Sequence, residues 1–334
     1  MHAMTGVTPM RNETLFKAGV VTGAALAIGA GATAIARRRG FNLRGWALYN
    51  FVKLMSPNLS DPEVLKQTIE KDLANGPARP PKKMLNKIEF SEAVDGGLLV
   101  FRAKRKGEPM PPLKLLYLHG GAYVLDFQEI QWNLVGGLLN RLDAEVIAPI
   151  YPLGPEASWR ETTAAVRAHY LATVDTYGAD NIMVMGDSAG GGLALLLAQA
   201  MRDEGLPQPR ALVLFSPALD VAGLGEDQLE LEKRDPALSL RLLHEIGPMW
   251  LKGLPANDPR VSPLFANQEN LPPTIIFSGD REILHSDALR LKRKNPAVDH
   301  KAYPEMMHVF PVSPLKEARQ ALDEAATFIE RHRS

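Results

Sequence analysis

Ile182-Met183-Val184-Met185-Gly186-Asp187-Ser188-Ala189-Gly190 is the stretch on which the reading of this chain turns. Its first four residues make a short apolar strand, and the run Leu193 to Met201 just after it has the pattern of a buried helix. A strand that passes so quickly into a helix must bend sharply, and Gly186 and Gly190 bring no Cβ atoms to clash in the bend. The bend lifts Ser188 above the edge of the sheet, over the first amides and the positive dipole end of the helix. That setting stabilises an oxyanion, so Ser188 is read as a nucleophile and the Ala189 amide as one of the donors. The plainer alternative is a serine that only caps the helix.

On both sides of this turn short apolar strands alternate with helical stretches. Strands are expected at Leu113 to Leu118, Glu145 to Ile150, Ala211 to Phe215 and Thr274 to Ser278, and helices at Glu161 to Thr176, Gly191 to Glu204 and Leu315 to Arg331. Such alternation implies an α/β fold, with a mostly parallel central sheet and helices on both faces. Lys87 to Val94 and Leu98 to Lys104 flank Asp95-Gly96-Gly97, a turn that joins antiparallel strands, so a hairpin opens the sheet. Trp46, Tyr49, Phe51 and Leu54 recur at helical spacing before Pro77, Pro80 and Pro81 break the pattern, which predicts the N-terminal part of a helical cap over 41–85. Residues 220–262 interrupt the alternation with a charged patch, Glu226 to Arg234, and a helical run near Leu240 to Leu251. They are read as an insertion over the site, the alternative being a plain connecting helix pair.

The strand Leu113 to Leu118 ends in His119-Gly120-Gly121-Ala122-Tyr123, a glycine-rich turn that exposes amides beside the nucleophile. Gly121 and Ala122 are the further oxyanion donors, and His119 is read as a brace for the loop rather than as a base. These two motifs resemble those of the hormone-sensitive-lipase-like branch of the α/β-hydrolases, H-G-G-G and G-D-S-A-G. The resemblance continues through Tyr151-Pro152-Leu153-Gly154-Pro155-Glu156, Leu214-Phe215-Ser216-Pro217, Pro259-Arg260-Val261-Ser262-Pro263-Leu264 and Met307-His308-Val309-Phe310, covering about residues 86–331. Ala122 stands where that branch has its last glycine, and Pro152 and Gly154 also depart from its pattern. The Ala122 amide remains a donor unless the position demands a positive φ.

The resemblance implies an α/β-hydrolase fold and a triad in the order serine, acid, histidine. His308, in a loop between the strand-like Asp299 to Tyr303 and the last helix, fits the base, whereas His285 enters a helix and His300 lies in a strand. The acid belongs in the loop after Thr274 to Ser278, which offers Asp280, Glu282 and Asp287. Glu282-Ile283-Leu284 aligns with the branch's D-x-L pattern and Asp280 is the alternative. Asp287 is placed in the first turn of the next helix, with a role toward its dipole. The implied activity is hydrolysis of short- to medium-chain acyl or aryl esters through an acyl-enzyme. An amidase or deacetylase of the same branch, or a non-catalytic ligand-binding member of the fold, are the alternatives.

The composition fits this reading. A hydrophobic share of 46% and a charged share of 23% describe an ordinary globular protein. With 38 basic and 38 acidic residues no net field draws a nucleic acid, and with no cysteine covalent catalysis must run through oxygen or nitrogen. No residues show metal-ligand spacing and no cofactor is expected; the expected partner is a small-molecule ester, and a homodimer is carried as an expectation. Residues 1–40 hold an uncharged run, 18–36, closed by Arg37, Arg38 and Arg39. As a helix it nearly matches a hydrocarbon core of about 30 Å, and the arginines place the catalytic region, 86–334, in the cytoplasm. A cleaved signal ending near Ala32-Thr33-Ala34, or a soluble helix, are the other readings.

Overall fold

The computed structural model describes residues 43–333. The chain forms two compact units, Met1–Leu48 and Tyr49–Ser334, and the sheet and the site belong to the second. The uncharged run 18–36 lies outside the described residues. Among the described residues no helix is long and apolar enough to cross a membrane.

After α1 (Leu43–Met55), helix α2 (Pro62–Asn75) starts where Asp61 accepts the Glu63 and Val64 amides and Pro62 supplies a preset φ. Strands β1 (Ile88–Asp95) and β2 (Leu98–Arg105) pair as a hairpin whose turn, Gly96 and Gly97, has φ of 59° and 84°, the double positive φ that favours glycine there. The chain then runs through β3 (Lys114–Leu118), α3 (Gln131–Leu139), β4 (Glu145–Ile150), α4 (Trp159–Tyr177), β5 (Ile182–Asp187), α5 (Ala189–Asp203) and β6 (Leu212–Phe215). It closes with α6 (Gln228–Glu232), α7 (Leu240–Leu251), β7 (Thr274–Gly279), α8 (His285–Lys294), β8 (Asp299–Tyr303) and α9 (Lys316–Arg331). One eight-stranded sheet results, in the order β1-β2-β4-β3-β5-β6-β7-β8. Only the β1–β2 and β2–β4 pairings are antiparallel. This is the α/β-hydrolase fold that the alternation and the motifs predicted.

The central strands β3, β5, β6 and β7 are buried at every position because both of their faces are covered. Leu116, Leu118, Val184, Leu212, Leu214 and Ile276 point to one side, where they pack with Val166 and Tyr170 of α4, Leu193 to Leu197 of α5 and Leu291 of α8. On α9, Ala321, Leu322, Ala325, Phe328 and Ile329 form a buried stripe, and the helix packs beside α3. Sequence patterning did not reveal α3, since Gly136 and Gly137 interrupt it. A Cβ on Gly137 would lie 2.6 Å from Leu322 of α9, so the glycine is there for helix contact.

The long segment between β6 and β7 folds partly over the C-terminal edge of the sheet. Leu242 and Ile246 of α7 and Leu65 and Ile69 of α2 form one apolar cluster with Val124, and Ala122 and Leu125 pack against it. The Tyr123 ring stacks on Trp250 at 3.8 Å. Asp72 of α2 accepts the Asp126 amide at 2.6 Å and the Gln128 side-chain amide at 2.7 Å.

Where β3 and β4 begin, Lys114 and Glu145 are register partners and form a buried ion pair at 2.9 Å. Removing the lysine alone leaves a carboxylate in a low-dielectric setting, with Arg102 3.8 Å away as its nearest remaining cation. Lys114→Met is therefore expected to lower the unfolding free energy by about 3–5 kcal/mol, and the double variant Lys114→Met, Glu145→Met to recover most of that loss. Urea denaturation reads both, and equal losses in the single and double variants would contradict the ledger.

Candidate active site

Ser188 occupies the N-cap position of α5 with φ 51° and ψ −122°, and its side chain makes no capping hydrogen bond. The hydroxyl is instead 3.0 Å from Nε2 of His308. Backbone bonds hold the turn: the Ser188 amide donates to Phe215 O at 2.9 Å, and the Ser188 carbonyl accepts from Ala218 and Gly192. The flanking glycines are demanded by close approach. A Cβ on Gly186 would lie 2.3 Å from Gly190 O, and one on Gly190 only 2.0 Å from Leu118 O. The second contact shows how tightly α5 is pressed against the end of β3.

His308 lies between β8 and α9, and its Nδ1 donates to Glu282 Oε2 at 2.6 Å. This bond fixes the tautomer, leaving Nε2 as an acceptor for the Ser188 hydroxyl. Burial disfavours the charged ring, but the hydrogen bond to Glu282 and the charges of Glu282, Asp235 and Asp187 outweigh it, so His308 titrates above its ordinary value. Glu282 is fully buried, and its Oε1 accepts from the Ser216 hydroxyl at 2.7 Å and the Gly279 amide at 2.8 Å. Ser216 also accepts the Val309 amide at 3.0 Å, so one hydroxyl ties the acid to the loop of the base. Asp280, the other candidate acid, accepts the Glu305 amide at 2.7 Å and thereby holds the loop that carries His308.

Asp287 stands in the first turn of α8, as expected, but its part there is different. Its carboxyl is fully buried and accepts the amides of Leu219 and Asp220 at 2.9 and 3.0 Å. Burial, then the nearby Asp220 charge, push it up to about 8. A largely neutral carboxyl adds little to a helix dipole, and this one braces the loop after β6.

The glycine-rich loop lies beside this group because β3 and β5 pair in parallel, with Leu118 opposite Gly186. Gly121, Ala122 and Tyr123 have φ of 133°, 55° and 64°. The position of Ala122 thus does demand a positive φ; alanine adopts it at a strain of roughly 1–2 kcal/mol, and its backbone N–H is kept. Ala189, as the first residue of α5, has an amide with no helical carbonyl a turn earlier to receive it. His119 is fully buried: Nδ1 donates to Gly120 O at 2.8 Å and the ring stacks on Tyr151 at 4.3 Å, far more a brace than a base.

Two supporting residues escaped the reading of the motifs. Asp187 accepts the Tyr117 hydroxyl at 2.6 Å, the Gly120 amide at 2.8 Å and the Gln131 side chain at 3.1 Å, joining the serine turn to the glycine loop. Asp235 accepts the Ile283 amide next to Glu282 at 2.9 Å. Among the described residues no group of three or more histidines or carboxylates could hold a metal ion.

Comparison with known proteins agrees with the fold. A family described as having the alpha/beta hydrolase fold matches residues 115–312. An acetyl-hydrolase of Streptomyces hygroscopicus is 34% identical over 224 residues, 64% of this chain and 74% of that protein. An esterase of Acinetobacter venetianus is 33% identical over 222 residues, 64% and 73% of the two chains. A crystal structure titled hormone-sensitive lipase, from a metagenome library, superposes with a TM-score of 0.71 at 27% identity, covering 82% of this chain and 99% of its own.

Because the Gly190 contact is with backbone rather than a movable side chain, Gly190→Ala is expected to cost about 3 kcal/mol or more. Gly247→Ala, where the nearest atom is Leu251 Cδ1 at 3.5 Å, is expected to be neutral or mildly stabilising. Equal behaviour of the two in chemical denaturation would show that the turn is not the tight point described.

Proposed function

The chain belongs to the α/β-hydrolase fold family, and from that premise we propose that it is a serine carboxylic-ester hydrolase whose nucleophile is Ser188, base His308 and acid Glu282. The observation that carries the roles is the single imidazole bonded on one side to a buried carboxylate and on the other to the hydroxyl at the strand–helix turn.

Ser188 Oγ attacks the ester carbonyl as its proton passes to His308 Nε2, and Glu282 stabilises the resulting imidazolium. The carbonyl oxygen becomes an anion, received by the amides of Gly121, Ala122 and Ala189. Collapse expels the alcohol, which takes the proton from His308, and leaves the acyl group on Ser188. Water then gives His308 a proton and attacks the acyl carbon; the second collapse returns the proton to Ser188 and frees the acid. No step needs a cofactor. Relatives named acetyl-hydrolase, esterase and ethyl acetate hydrolase favour short acyl groups within the short- to medium-chain range.

Ser188→Ala is expected to lower hydrolysis of p-nitrophenyl esters by about 10⁴-fold or more, and a fluorophosphonate to label the wild type at Ser188 alone. Labelling of another residue would defeat the assignment. An ester and its matched anilide, compared on the purified protein, separate an esterase from an amidase.

The two candidate acids separate by their bonds. Glu282→Gln is expected to cost about 10³- to 10⁴-fold in kcat, since the amide favours the wrong tautomer. Asp280→Asn, which keeps an acceptor for Glu305, is expected to cost less than about tenfold. The reverse ranking would move the acid to Asp280.

For residues 18–36 we propose membrane attachment, with the catalytic domain on the cytoplasmic side, on the strength of the uncharged run and the arginines that close it. The full chain is then expected in a salt-resistant membrane fraction, and a chain beginning at residue 41 in the supernatant. A full chain that stays in the supernatant would end this part of the proposal.

A further inference from the structure

A second carboxylate, bonded to the residue after Glu282, lies beside the Glu282–His308 pair and has no part in the proton transfers above. We propose that Asp235, in the turn of the insertion that leads into α7, is a positioning residue for this pair, fixing the backbone next to Glu282 and presenting its negative charge to His308. The inference rests on the proposed roles of Glu282 and His308.

Three backbone donors fix the orientation of this carboxylate. Oδ2 accepts the Ile283 amide at 2.9 Å, and Oδ1 accepts the Ala237 and Leu238 amides, each at 2.9 Å. The first bond leaves the insertion and lands on the residue after the acid. The other two close the turn that the insertion makes before α7. Ile283 and Leu284 are buried together with Ala218 and Leu231, and Leu238, Leu240 and Leu243 pack against them, so the polar clamp is backed by an apolar one. A displacement of the insertion would therefore pull on the backbone that orients Glu282.

The charge acts in the same place. The charges that bear on His308 are those of Glu282 after β7, Asp235 in the insertion and Asp187 at the end of β5, and all three are negative. Burial pushes the Asp235 carboxyl up to about 6, against the three amide bonds and the His308 charge that favour ionisation. Asp235 thus carries its charge at neutral pH and loses it only as the pH falls toward and below about 6. A carboxylate facing an imidazole stabilises the protonated ring, so taking the charge away makes His308 easier to deprotonate. Since the base works only when neutral, the acid limb of kcat/KM must then move to lower pH.

The test is the pH dependence of kcat/KM for a p-nitrophenyl ester, measured on the wild-type chain, Asp235→Asn and Asp235→Glu. Asp235→Asn is expected to shift the acid limb down by about half a unit or more. Asp235→Glu keeps the charge at a displaced position and is expected to restore the limb while lowering the plateau rate. A proton NMR titration of the His308 ring in the resting enzyme should show the same shift. It requires no substrate, so it reads the proposal even in a chain that hydrolyses no ester. If Asp235→Asn does not fold, Asp235→Ser, which retains a hydroxyl acceptor, carries the same expectation. Titration of His308 at the wild-type pH in the charge-free variants, or an equal displacement in Asp235→Glu, would overturn the proposal.

Discussion

The site depends on one constrained residue, Ser188, held with a positive φ between a buried strand and a buried helix. An L-amino acid does not take up that conformation unless its surroundings impose it. Here β6 and the loop after it do so, through the Phe215 carbonyl and the Ala218 amide, while β3 presses on α5 from the other side through Gly190. The serine hydroxyl is thereby denied its ordinary place as a helix cap and turned toward His308. Its position is a property of three central strands, β3, β5 and β6, none of which contains the serine itself.

Much of this frame was legible because burial on both faces leaves a plain mark on sequence. The bounds of Glu145–Ile150 and Asp299–Tyr303 coincide with the strands read from their pattern. The doublet Gly96-Gly97 revealed its hairpin because only glycine takes two successive positive φ values easily. Ser188 and His308 could be singled out in their own loops and Glu282 only with Asp280 beside it as an alternative, and the structure brings the side chains of Ser188, Glu282 and His308 together.

What stayed hidden depends on neighbours far away in the chain. α3 was masked by Gly136 and Gly137, whose close neighbours are Met84 and Leu322, and Asp287 looked like a helix-dipole residue until its partners proved to be amides of the loop after β6. Ser216 stands in a matching motif that assigns it no role and Asp235 stands in none, since each acts by reaching the backbone of a different loop. No local pattern records such a bond. At Ala122 the sequence could raise a positive φ only as a condition, from a glycine replaced by alanine, and the backbone was needed to show it.

The bond between Asp72 and the Asp126 amide makes α2 and the glycine-rich loop one mechanical piece. Any remodelling of α2 would therefore be felt in the loop beside Ser188. A chimaera that imports a foreign α2 without an acceptor at residue 72 would leave that loop without one of its fixed points.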